Sequence, residues 1–86
     1  MNKDELKRIL DSEGFSPRAY SLDGGLPNDR LCLSDEGGQW CVYYSERGER
    51  FDEQGFDSES GACEHLLREL RSLPVSQTRL SGWEQR

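Results

Sequence analysis

Apolar residues recur at helical spacing near the two ends of this chain and alternate in its middle. Leu6, Ile9 and Leu10 make a narrow stripe of helical period, with Asn2 placed as an N-cap and Glu5 three positions on, as in a capping box. Gly14 suits a left-handed C-cap, after which Phe15 folds back onto the stripe. A second, longer stripe runs through Ala62, Cys63, Leu66, Leu67, Leu70 and Leu73. Asp57 or Ser58 caps it, Glu59 lies in its first turn where the helix dipole favours an acid, and Pro74 stops it. Two helices are therefore expected, one at each end.

Between them the period changes to two. Pro17 ends the first helical segment, and "RAYSL" reads as a short strand with Tyr20 and Leu22 on one side, Ala19 and Ser21 on the other. The loop "DGGLPND" follows: Gly24 and Gly25 permit positive φ, Pro27 holds Leu26 extended, and Asp23 and Asn28 suit turns. "DRLCLS" and "QWCVYYS" then flank "DEGG", a hairpin signal. With Glu36 and Gly37 in the turn, Leu33 would face Trp40, Cys32 would face Cys41, and Leu31 would face Val42. Leu31, Leu33, Trp40, Val42 and Tyr44 then share one face. Arg30, Cys32, Cys41 and Tyr43 share the other, and a one-residue slip would destroy this segregation. "ERGER" turns the chain again at Gly48, and a weak strand is expected within "RFDEQGF", anchored by Phe51 or Phe56.

The expected fold is α+β: an antiparallel three- to four-stranded sheet with an N-terminal and a C-terminal helix packed on one face. The Cys32/Cys41/Tyr43 face would stay at least partly open. Residues 1–73 form one domain, and 74–86 read as a flexible C-terminal tail from which Leu80 and Trp83 can dock.

Composition sharpens this picture. In 86 residues, apolar and charged side chains each make up 33%, so the core must be thin. No apolar run approaches a membrane span, and "MNKDELKRIL" has no signal-peptide character, which together read as a cytoplasmic protein. The net charge of −6 disfavours nucleic acid and anionic membranes as partners. From Asp23 to Glu64 there are eleven acids against three bases, a balance of −8. Such a segment attracts basic partners, or it simply keeps a small domain soluble.

Catalytic chemistry is hard to find. Three cysteines at irregular spacing make no disulfide framework and no close zinc-ligand pairs. Cys63 and His65 point about 200° apart on a helix, which separates them as joint ligands or as a nucleophile–base pair. Cys63 is expected to pack as a small hydrophobe and His65 to lie exposed beside the stripe. The loop "DGGLPND" lacks the cation and following helix of a phosphate loop. No metal, cofactor or enzymatic activity is expected. In "WCVYYSERGER", Tyr43 and Tyr44 fall on opposite faces, so one is free for contact, and Arg47 stands between Glu46 and Glu49.

From about Ser16 to Leu70 the strings "SLDGGLPN", "YYSERG" and "FDSE" followed by "AC" resemble small immunity proteins of bacterial polymorphic-toxin systems, including contact-dependent inhibition loci. The resemblance implies a protein that binds and neutralises a cognate, basic toxin domain through its acidic surface, without chemistry of its own. The contacts expected on that reading are Asp23, Asp29, Glu46, Arg47, Glu49, Asp52 and Glu53, with Tyr43 as an aromatic anchor. The alternative is a non-catalytic interaction or regulatory module, a homodimer joined through the open sheet face or an edge strand.

Overall fold

The computed structural model describes residues 1–79, so the expected docking of Leu80 and Trp83 lies outside the described residues. Helix α1 spans Lys3–Ser12, and Asn2 Oδ1 caps it by accepting from the Glu5 N–H at 2.9 Å. Gly14 takes φ 75°, and the Phe15 N–H reaches back to the Leu10 carbonyl at 3.0 Å, which turns the Phe15 ring into the core. A 3-10 turn at Pro17–Ala19 leads into β1 (Tyr20–Ser21), followed by β2 (Arg30–Asp35), β3 (Trp40–Glu46) and β4 (Glu49–Phe56). Helix α2 covers Glu59–Ser72, its Ser58 side chain accepting from the Gly61 N–H at 3.0 Å. A single helical turn, α3, follows at Val75–Thr78.

The fold is α+β with a four-stranded sheet in the order β1-β2-β3-β4. It departs from the expected all-antiparallel sheet in one strand: β1 pairs with β2 in parallel, Tyr20 beside Leu31 and Ser21 beside Cys32. Alternation within a two-residue strand carries no sign of direction. What sets the direction is the loop from Leu22 to Asp29, which returns the chain to the start of β2.

The β2–β3 register also differs from the expected one, by two residues. Leu33 lies opposite Val42, Cys32 opposite Tyr43 and Ser34 opposite Cys41, because the connection contains four residues, Glu36 to Gln39, closed by the Glu36 N–H on the Gln39 carbonyl at 2.8 Å. A shift of two preserves faces, so the segregation of side chains is the expected one. Leu33 and Val42 meet Leu6, Leu10, Phe15, Tyr20, Ala62, Cys63, Leu66, Leu67 and Leu70 in the main core. Cys63 is fully buried there, as a small hydrophobe.

The opposite face is not open. Cys32, Cys41 and Tyr43 form a second buried cluster, with Ser45 buried beside them. The glycine loop lies over it. The Gly24 N–H donates to the Leu33 carbonyl at 2.9 Å, and the Tyr43 hydroxyl donates to the Gly25 carbonyl at 2.7 Å. Gly24 has φ +67°, and a Cβ there would stand 3.0 Å from Ser34 Oγ, so the approach needs a residue without a side chain. From above, the Arg50 guanidinium covers the Tyr43 ring at 4.1 Å.

Strand β4 is longer than the weak strand expected and carries a bulge. Val42 pairs with Gln54 and Tyr44 with Phe51, leaving Asp52 (φ 54°) and Glu53 opposite Tyr43. Nearly all of β4 is exposed, and it forms the outer edge of the sheet among the described residues. The folded body also continues past Leu73. Thr78 is buried, its carbonyl accepts from the Ser16 N–H at 2.7 Å, and Arg79 bridges to Phe15 with its guanidinium 3.4 Å from the ring centre.

Candidate functional site

Strand register decides which of the expected contact residues stand together. Glu46 pairs with Glu49 across a two-residue turn in which Arg47 (φ 53°) and Gly48 (φ 78°) are both left-handed. Arg30 pairs with Ser45, so Asp29, one residue before it, falls beside Glu46 at the same end of the sheet. Asp29, Glu46 and Glu49 thus end three adjacent strands, with Arg47 at the tip. Glu46, Glu49 and Asp52 form no ion pair among the described residues.

A groove runs inward from this end on the helix side of the sheet. Its outer part, about 360 Å3, is walled by Asp29, Leu31, Tyr44, Leu73 and Gln77. Its inner part, about 210 Å3, shares Leu31 and Tyr44 and adds Asp52, Gln54, His65 and Glu69. Tyr44 stands between the two parts and donates from its hydroxyl to Asp29 Oδ1 at 3.2 Å. Burial, and then the Asp29 carboxylate, push the Tyr44 phenol above its ordinary value, so it stays a neutral donor. On α2, His65 lies 3.3 Å from Glu69 and its ring leans on Phe56 at 5.1 Å between centres. His65 is therefore packed rather than exposed, with 18% of its side chain accessible. Leu31 and Leu73 line the groove together with three carboxylates and the amides of Gln54 and Gln77, a lining suited to a cationic side chain with an aliphatic stem.

The other expected contacts lie elsewhere. Tyr43 is 1% exposed and cannot anchor a partner; it is a pillar of the second core, and Tyr44 is the tyrosine that reaches the groove. Asp23 extends into solvent beyond an ion pair with Lys3 at 3.0 Å. Glu53 is engaged with Arg50 at 2.8 Å, and the same guanidinium holds Glu36 at 2.7 Å. Arg50 keeps the Glu36 carboxyl below its usual range. Ligand atoms of Glu36, Glu53 and the buried Cys41 lie within 4.8 Å of one another, the one grouping among the described residues with the spacing of a metal site. Arg50 already neutralises its carboxylates, and burial raises the Cys41 thiol away from the thiolate a metal requires.

Sequence reasoning missed the groove residues Tyr44, Gln54, His65 and Glu69. The signal for two of them was present, since His65 and Glu69 stand one helical turn apart on α2. Nothing local announced that the bulge at Asp52 would bring β4 under them. No helix among the described residues is long and apolar enough to cross a membrane. Comparison with known protein families, with characterised proteins and with solved structures finds no match for this chain.

Proposed function

We propose that this protein is a non-catalytic inhibitor, an immunity protein that neutralises a basic toxin domain by binding it at the acidic end of the sheet. Asp29, Glu46 and Glu49 meet the partner first, and a lysine or arginine of that partner enters the groove toward Asp52 and Glu69. The observation that supports this reading is the row of three carboxylates ending adjacent strands, none of them in an ion pair among the described residues, continuous with a groove of matching polarity. Unpaired surface charge of one sign raises association rates through steering and costs the fold little. The contact set is narrower than the sequence implied: Tyr43 drops out, and Asp23 and Glu53 are engaged with Lys3 and Arg50.

The test is co-purification with the product of the neighbouring gene, followed by stopped-flow association kinetics. The double reversal Glu46→Lys/Glu49→Lys should slow association by about tenfold or more at low salt, with dissociation less affected. Absence of a complex, or an association rate indifferent to both reversal and salt, defeats the reading. If the protein is instead a dimer through the bare β4 edge, light scattering will give twice the monomer mass, unaltered by these reversals.

A further inference from the structure

Two aromatic side chains among the described residues, Tyr44 and Phe51, belong to neither core. Phe15, Tyr20 and Tyr43 lie within the two cores, and Trp40 and Phe56 pack against the first. Tyr44 and Phe51 stand opposite each other on β3 and β4, on the face that carries the groove. Tyr44 is half-buried, and Phe51 is 41% exposed. A single exposed phenylalanine needs no explanation. Its surroundings make the difference here.

Glu46 and Glu49 form the next pair on this face toward the hairpin turn. Asp29 accepts from the Tyr44 hydroxyl, and Asp52 and Glu69 line the inner groove. With Arg47 at the turn counted, the end carries five acids against one base, 1 − 5 = −4. Arg30 and Arg50 both lie opposite Ser45 and so belong to the other face.

The chain twice combines such parts with an arginine of its own. Arg50 covers the Tyr43 ring at 4.1 Å while holding Glu36 and Glu53. Arg79 covers the Phe15 ring at 3.4 Å, with Glu13 3.9 Å from its guanidinium. At Tyr44 and Phe51 the rings and the carboxylates are in place, yet no guanidinium of the described residues covers either ring.

Building on the reading of this end as the partner contact, we propose that Tyr44 and Phe51 seat an arginine, rather than a lysine, of the partner protein. Its guanidinium lies flat on the exposed Phe51 ring, and the carboxylates around the pair accept its N–H groups. A guanidinium is planar and weakly hydrated, so it stacks on a ring and pairs with carboxylates at once; an ammonium is a compact, strongly hydrated point charge. A second copy of this chain would bring the same carboxylates face to face, which disfavours it as the occupant.

The probes are acetyl-Gly-Arg-Gly-Arg-Gly-amide and its lysine counterpart, of equal charge, titrated into the full chain and followed by amide 1H–15N spectra. Saturable shifts are expected at residues 44–52, with the arginine peptide tighter by about threefold. Phe51→Leu should weaken the arginine peptide by about two- to fivefold and leave the lysine peptide nearly unchanged, whereas Phe51→Tyr keeps the preference. Equal affinities, with Phe51→Leu silent and Glu46→Lys/Glu49→Lys weakening both peptides, overturn the arginine seat and leave the acidic contact standing. Absence of saturable shifts at residues 44–52 also overturns the seat, and the association kinetics with the neighbouring gene product then judge the inhibitor reading separately. Shifts there that grow with protein concentration in the absence of peptide mark self-association, and overturn it too.

Discussion

The glycine loop offers a test of what closes the second face of the sheet. Gly24 and Gly25 are adjacent and both left-handed, at φ +67° and +83°, yet their surroundings differ. A Cβ on Gly25 would meet only Pro27 Cδ at 3.9 Å, whereas one on Gly24 would stand 3.0 Å from Ser34 Oγ and 3.3 Å from Ser34 Cβ. Placing alanine in the left-handed region costs about 1–2 kcal/mol, offset by about 0.4–1 kcal/mol from the stiffer unfolded chain. Gly25→Ala should therefore destabilise by roughly 1 kcal/mol. Gly24→Ala adds an overpacking cost of about 1–2 kcal/mol, because the loop must lift from Ser34 and strain the Tyr43–Gly25 hydrogen bond. The expected difference, about 1–2 kcal/mol, corresponds to about 4–16 °C in melting temperature for a domain of this size. Urea titrations followed by circular dichroism measure it. A cycle with Ser34→Ala should recover part of the extra loss, since it removes the atom at 3.0 Å. Equal losses for the two glycine variants, with no coupling to Ser34, would refute the claim that the loop is packed onto this face.

Three further outcomes are expected. Ser45 is fully buried and its hydroxyl has no partner among the described residues, so Ser45→Ala should leave the urea midpoint unchanged or raise it, and a loss above about 1 kcal/mol would contradict this. Ser58→Ala removes the α2 cap and should cost about 1 kcal/mol by the same titration, with Ser58→Gly costing less. Burial pushes the Cys63 thiol up to about 11 from an ordinary 9.0. Above pH 9.0 the unfolded chain sheds this proton while the folded chain keeps it, so stability must fall as pH rises from there toward about 11. Urea midpoints across that window should decline less steeply in Cys63→Ala, and native protein should react slowly with a thiol reagent because all three cysteines are buried.

Much of the fold was legible because its signals are local. Caps at Asn2 and Ser58, the stripes of α1 and α2, and the alternation of β2 and β3 each lie within one element. The β2–β3 register is not legible because "DEGGQ" accommodates either a two-residue turn at Glu36–Gly37 or the four-residue connection from Glu36 to Gln39, and both place the same side chains on the same face. The site was less legible. Tyr43 and Tyr44 were correctly separated onto opposite faces, but the polar-looking face with Cys32 and Cys41 was expected to be open. Its burial depends on a loop some eighteen residues away in sequence, joined through the Tyr43–Gly25 hydrogen bond. The bulge at Asp52 was equally hidden, since a positive φ at an aspartate leaves no mark in an alternation pattern.

By itself the sequence determined the two helices, the faces of the central hairpin and the acidity of the chain, because periodicity, capping and charge are properties of neighbouring residues. Only the tertiary structure decided the parallel direction of β1, the second core beneath the glycine loop, and which carboxylates stand free at one end. Those features arise where distant segments meet, and there the outcome turns on which backbone can approach closely and which cation reaches which acid.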